Sequence, residues 1–206
     1  MLSNQFSGVS WTVVVNGRGG RNIVSVINDW PHPHSRNPNN DKVPSAISYT
    51  STGEISGWGF EVSHDPNSFK FRWMKILLEP SHKYYTDTKQ VKFANADLER
   101  LKKTPEDVVN DYLSCLWKYT VEHLKRRKGD NFQEDYNVKV ILTVPAVWSD
   151  SGKDKTLKAA RAAGIPGKIE LVTEPEAAAI AVLNEKNDLE ELKVRKIASS
   201  WLVCAN

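Results

Sequence analysis

Residues 138–144 read Val138-Lys-Val-Ile-Leu-Thr-Val144, and the chain continues Pro145-Ala-Val-Trp-Ser-Asp150. Beyond these come Ala159-Ala-Arg-Ala-Ala-Gly164 and Leu171-Val-Thr-Glu-Pro-Glu-Ala-Ala-Ala-Ile-Ala181. The first run is short, continuous and β-branched, as a strand buried on both faces should be. Ser149-Asp150 caps a helix that passes through Ala159, Ala160 and Ala163 and stops at Gly164. Ile169 to Val172 is the next strand. Thr173-Glu174-Pro175-Glu176 then forms a capping box closed by Glu176, with proline in the first helical turn. The Ala-rich helix Glu176 to Leu183 lies close to a sheet because its side chains are small. A charged stretch, Asn184 to Lys196, leads into a further strand, Ser200 to Cys204. Strand, helix, strand, helix, strand over residues 137–206 specifies an α/β fold.

Working back, residues 67–136 read as a helical insert. Thr104 caps a helix with Pro105 at its first position, and Glu106 and Asp107 complement the dipole. Val108, Val109, Tyr112, Leu113, Leu116, Trp117 and Leu124 recur at helical spacing until Gly129 stops the helix. Its end, Lys125-Arg126-Arg127-Lys128, fits a nuclear signal or a nucleic-acid contact, but cations are favoured at any helix C-terminus. The spacing of Phe69, Trp73, Ile76 and Leu77 predicts a short amphipathic helix over Phe69 to Leu78. Residues 79–103 are polar and give no assignment.

Residues 1–66 predict a β-meander, with strands at Val9 to Val15, Ile23 to Ile27, Val43 to Tyr49 and Ile55 to Val62. Asn16-Gly17 and Thr52-Gly53 supply turns. Asn16-Gly-Arg-Gly-Gly20 joins two strands, whereas a phosphate loop must join a strand to a helix, so a hairpin turn is the better reading. His32 and His34 lack a second ligand pair at a metal-binding interval.

The 206 residues hold 28 Lys+Arg against 25 Asp+Glu, a net charge of +3, with 40% apolar residues. That balance excludes collagen, coiled coil, disorder and a disulfide scaffold, and it is too weak a positive charge to imply nucleic acid. No apolar run approaches the ~20 residues of a membrane span. Met1 to Ser10 has neither the basic start nor the apolar stretch of a signal peptide. Cys115 and Cys204 read as two reduced thiols. The seven Trp residues are scattered singly, which suits core packing rather than a base-stacking platform.

The elements Thr143-Val-Pro-Ala146 and Glu174-Pro-Glu-Ala-Ala-Ala179 are the specific ones. In order, spacing and identity, residues 141–181 resemble the actin-like ATPase domain of the seventy-kilodalton heat-shock chaperones. Phe6-Ser-Gly-Val-Ser-Trp11, Asp41-Lys-Val-Pro44 and Gly57-Trp-Gly-Phe60 extend the likeness to divergent, fungal-type members. The resemblance implies an actin-like (ribonuclease H-like) fold, of which residues 1–206 would form the first lobe, incompletely. Its parts would be a β-meander (1–66), a helical insert (67–136) and a βαβαβ half (137–206).

The resemblance also implies roles. Lys75 falls where the family places the lysine that reaches the terminal phosphates of ATP, with Lys70 as a competing choice. Glu174 matches the acidic residue near magnesium and the attacking water. Pro145 and Lys153 match the proline and arginine that relay nucleotide state to the substrate-binding domain, although lysine cannot reproduce a bidentate arginine contact. ATP or ADP with Mg²⁺ is the implied cofactor, and client proteins and co-chaperones are the implied partners in the cytoplasm or nucleus.

The family's two phosphate loops, Asp-x-Gly-Thr-Thr and Asp-x-Gly-Gly-Gly-Thr, have no counterpart in the sequence, which places Met1-Leu-Ser-Asn-Gln5 and Ala205-Asn206 where they would lie. The expectation is therefore a partial nucleotide-binding domain, truncated at both ends and unable to hydrolyse ATP by itself. The alternative is a non-catalytic interaction fragment or the product of a truncated gene. Loss of a first strand would leave sheet edges unpaired and promote self-association.

Overall fold

A computed structural model describes residues 6–14, 24–33, 39–79, 88–185 and 201–205. Among these residues, ten strands, six α-helices and one 3-10 turn (Gly59–Glu61) follow in chain order. The N-terminal strands are β1 (Phe6–Ser7), β2 (Val9–Val13), β3 (Ser25–Val26), β4 (Val43–Pro44), β5 (Ala46–Tyr49), β6 (Ile55–Trp58) and β7 (Phe69–Arg72). Four helices follow, α1 (Met74–Leu77), α2 (Lys89–Leu101), α3 (Pro105–Lys128) and α4 (Phe132–Asp135). The chain then runs through β8 (Val138–Val144), α5 (Asp150–Ala162), β9 (Ile169–Thr173), α6 (Glu174–Glu185) and β10 (Trp201–Ala205).

The C-terminal half has the expected alternation. β8 and β9 are parallel, with Val144 opposite Thr173, so both strands deliver the chain to the same edge of the sheet. Thr173 and Glu176 close the capping box of α6: the Thr173 N–H and hydroxyl both donate to Glu176 Oε2, at 2.9 and 2.7 Å. Those bonds hold the Glu176 carboxyl below the usual carboxylate range. Ser149 caps α5 by accepting from the Gly152 N–H.

The N-terminal strands do not form one meander. β2 and β3 pair antiparallel and belong to a five-stranded sheet, ordered β3-β2-β10-β8-β9. β5, β6 and β7 make a separate antiparallel sheet, ordered β6-β5-β7, and β1 pairs with β4 alone. The predicted strand Val43 to Tyr49 is divided at Ser45, with its first part held by β1 and its second by β6 and β7. Ile55 to Val62 ends early because Gly59 takes φ +60, a conformation open to glycine at little cost. Its missing Cβ would stand 2.5 Å from Val43 Cγ2. The Asn16–Gly20 turn and His34 lie outside the described residues.

The predicted helix Phe69 to Leu78 is also corrected. Residues 69–72 are a strand paired with β5, Ala46 opposite Arg72 and Tyr49 opposite Phe69. Only Met74–Leu77 is helical. Phe69 and Phe71 satisfy a period of two as well as they begin a period of 3.6, and pairing with β5 decides between them. The undecided stretch 79–103 contains α2, capped by Thr88, which accepts from the Val91 N–H.

The core forms between the sheets and α3. Val108, Leu113, Phe71, Leu142 and Val140 are nearly inaccessible, and Phe132 of α4 closes one end. Thr104 and Asp107 bond reciprocally at the start of α3. At its far end Arg126 pairs with Asp29 at 3.1 Å, and Lys128 lies 4.9 Å from the centre of the Trp11 ring. Two of the four basic residues are therefore engaged within the fold. Trp30, Trp58 and Tyr119 pack as an aromatic cluster, with Trp30 fully buried. No helix among the described residues is long and apolar enough to cross a membrane.

β2 and β8 do not present open edges. β10 lies between them, parallel to β2 and antiparallel to β8, and joins two pairs of strands into one sheet. Removal of residues 201–205 would expose backbone donors and acceptors on both neighbours. A chain ending at Glu185 should melt at lower temperature and scatter light on warming. A monomeric chain with an unchanged cooperative melt would contradict this role for β10.

Candidate functional site

The parallel register of β8 and β9 sets the site. One residue beyond Val144 is Pro145, and one residue beyond Thr173 is Glu174, so these two emerge side by side where the parallel strands end. In open α/β sheets that edge is where ligands bind. Pro145 is buried, and its carbonyl accepts from the Trp148 N–H at 3.2 Å, which closes a turn before α5. Glu174 begins α6, and its Oε1 is shielded from solvent with no hydrogen-bond partner.

Lys75 arrives from the other side of the core. Trp73 adopts φ 54, ψ 29, left-handed values that cost a bulky residue roughly 1–3 kcal/mol. The sharp turn made there ends β7 and starts α1, and it carries Lys75 inward to 8% exposure. Burial lowers the Lys75 ammonium to about 8, and the negative charge of Glu174 acts in the opposite direction. Lys75 and Glu174, distant in sequence, thus lie within each other's electrostatic reach, Lys75 buried and Glu174 half-buried. Lys70 lies on the exposed part of β7 and does not enter this site.

Lys153 is one turn into α5 and pairs with Asp150 at 3.3 Å. Its charge also reaches Glu176, whose carboxyl it helps to lower. Pro145 and Lys153 therefore flank the short turn that leads from β8 to α5.

Glu79 is a residue that sequence reasoning missed. It is 3% exposed, and it accepts from both the N–H and the hydroxyl of Ser149, at 2.9 and 2.6 Å. A carboxylate at the positive end of a helix is favoured electrostatically. Gly152 leaves the space for it: a Cβ there would stand 2.5 Å from Glu79 Oε2. Glu79 follows α1 closely, so this contact fastens the segment bearing Lys75 to the start of α5. Ser149 read as an ordinary N-cap in sequence, and nothing local marked its partner 70 positions away.

A buried amine near a half-buried carboxylate with one shielded oxygen can stabilise negative charge and orient a water or a hydrated cation. No group of three or more His, Cys, Asp or Glu residues among those described is arranged to hold a metal ion. His32 instead packs its ring against Phe60, with centroids 4.9 Å apart. Cys115 on α3 is half-buried, and burial pushes its thiol upward, away from the reactive range.

No protein-family model matches the chain. The chain is 24% identical over 168 residues to the chaperone protein DnaK of Stenotrophomonas maltophilia (strain R551-3). The match takes in 73% of this chain and 24% of that protein, so the chain spans about a quarter of its relative's length.

Because Lys75 holds its proton less tightly when folded than when unfolded, stability should rise with pH between about 8 and 10.5. Lys75→Met abolishes that titration. Denaturant unfolding should show the variant gaining on the wild type below pH 8, with the difference shrinking by roughly 1–3 kcal/mol towards pH 10. A difference independent of pH would contradict the burial of the ammonium.

Proposed function

We propose that this chain supplies one wall of a nucleotide-phosphate site in an Hsp70-like, ATP-dependent chaperone, and that by itself it does not turn over ATP. The observation that carries the proposal is the buried Lys75 ammonium standing in the field of Glu174, which begins α6 where the parallel strands β8 and β9 end. The similarity to DnaK supports an Hsp70-like origin, and residues 141–181 hold the motifs that resemble the family.

Lys75 is the cation for the terminal phosphates of ATP, where an ammonium stabilises charge that develops in phosphoryl transfer. Its lowered affinity for protons leaves it responsive to a bound anion, which would favour the charged form. Glu174 has a shielded oxygen with no partner, suited to hold a water or a water of a hydrated magnesium ion. One carboxylate with phosphate oxygens is the way Mg²⁺ is usually held beside a nucleotide. The ion would neutralise phosphate charge. Pro145 and Lys153 form the relay between this edge and a substrate-binding domain, with Glu79 fixing the geometry between Lys75 and α5. ATP or ADP with Mg²⁺, client proteins and co-chaperones are the corresponding ligands and partners, in the cytoplasm or nucleus.

Two groups are a small part of a phosphate-transfer site. Loss of one preorganised donor costs about 10²–10³ in rate, and the sequence contains no Asp-x-Gly-Thr or Gly-Gly-Gly-Thr loop. At millimolar MgATP, phosphate release should stay at the buffer rate, and Lys75→Ala should not change it. Acetylation of Lys75 by acetic anhydride should be slowed by MgATP and not by magnesium sulfate. Turnover that Lys75→Ala abolishes would overturn the inactivity, and labelling indifferent to nucleotide would remove the site from this chain.

A second reading, a non-catalytic interaction module, is favoured by α6. Its composition is apolar, yet Ile180 is 55% exposed, the kind of surface that a protein partner covers.

A further inference from the structure

The sheet β6-β5-β7 has a second face, turned away from α3. Phe71 points into the core, its ring 5.8 Å from that of Tyr49. Alternation along β7 therefore places Lys70 and Arg72 together on the opposite face. Their cross-strand partners on β5 are small, Ser48 opposite Lys70 and Ala46 opposite Arg72. Small residues under long ones leave a hollow, and a cavity of about 360 Å³ lies there. Phe6, Phe60 and Trp73 give it apolar walls, and Lys70 and Arg72 give it positive charge beside the His64 ring.

We propose that this cavity binds a small organic anion, an aromatic ring carrying a phosphate or carboxylate. The volume is at the lower end of small-molecule sites. No Asp or Glu lines it, and among the described residues Lys70 and Arg72 have no ion-pair partner. Like charges on one face of a strand repel, and an anion held between them removes that repulsion. The Arg72 fork suits two oxygens of one phosphate or carboxylate, Lys70 adds a point charge, and the aromatic walls cover the ring. The left-handed turn at Trp73 separates the two basic sites: Arg72 and Trp73 line this cavity, while Lys75 is turned inward to the core. The cavity does not depend on the nucleotide reading of Lys75 and Glu174, because it shares no residue with it.

Isothermal titration of the whole chain with phenyl phosphate, inorganic phosphate and benzyl alcohol at one ionic strength tests the proposal. Phenyl phosphate should bind at least tenfold more tightly than either fragment of it. The exposed pair Lys70→Gln/Arg72→Gln should weaken that binding tenfold or more. Removing the same charge elsewhere, with Lys89→Gln/Lys118→Gln, should change it less than twofold. Thermal melts of both double variants, expected to match the wild type, separate loss of binding from loss of fold. Binding that survives Lys70→Gln/Arg72→Gln, falls equally in the control pair, or is matched by inorganic phosphate would overturn the proposal.

Discussion

An ammonium group taken out of water must meet a compensating charge or give up its proton more easily, and the burial of Lys75 imposes that choice on the rest of the chain. It requires the turn at Trp73, which sends the chain inward directly after β7. It requires a carboxylate on the far side of the core, which Glu174 supplies. Glu174 is in place only because β9 ends level with β8, and α6 starts there under the Thr173–Glu176 box. Glu79 then ties the Lys75 segment to Ser149, beside the turn begun by Pro145. The sheet register, the helix starts and the strained residue thus converge on one edge.

The energetic logic is a balance of local costs against non-local gains. A left-handed tryptophan and a buried lysine are both unfavourable in isolation. The aromatic packing around Phe71 and Tyr49, the shared carboxylate at the start of α5 and the apolar contacts of α3 hold them in place. Tyr49 shows the same economy: its hydroxyl donates to Asp111, which also accepts from Lys103. Burial and that carboxylate push the Tyr49 phenol far above its usual range, so it stays a donor. Lys75 on one side of the Trp73 turn faces the core, and Lys70 and Arg72 on the other side line the aromatic cavity, so one strained residue sorts the cations of this segment into two places.

What the sequence disclosed was local. Thr104 with Asp107, Thr173 with Glu176, and Ser149 before Gly152 are complete within four residues, and each lies at a helix start as read. The β-branched run Val138–Val144 has no competing period, so β8 was legible. Phe69–Arg72 was not, because four residues satisfy both periods and only pairing with β5 selects one. α2 was obscured by its polarity: Val91, Ala94, Leu98 and Leu101 make its inward stripe, and Phe93, 70% exposed, lies off that stripe and blurs the period. The placement of β10 in the middle of a sheet, and the contact of Glu79 with Ser149, depend on pairings across long stretches of chain that no local pattern encodes. Lys75 and Glu174 came from a family resemblance, and the electrostatic influence of one on the other came from the fold.

Lys75 is buried in the field of Glu174, and the rest of the arrangement follows from that. The most direct measurement is the ionisation of the Lys75 side chain by NMR titration of its ammonium group, in the wild type and in Glu174→Gln. The wild-type amine should titrate near pH 8, and the variant should titrate lower, because the charge that favours the ammonium is gone. An amine that titrates near 10.5 in both proteins would contradict the central claim.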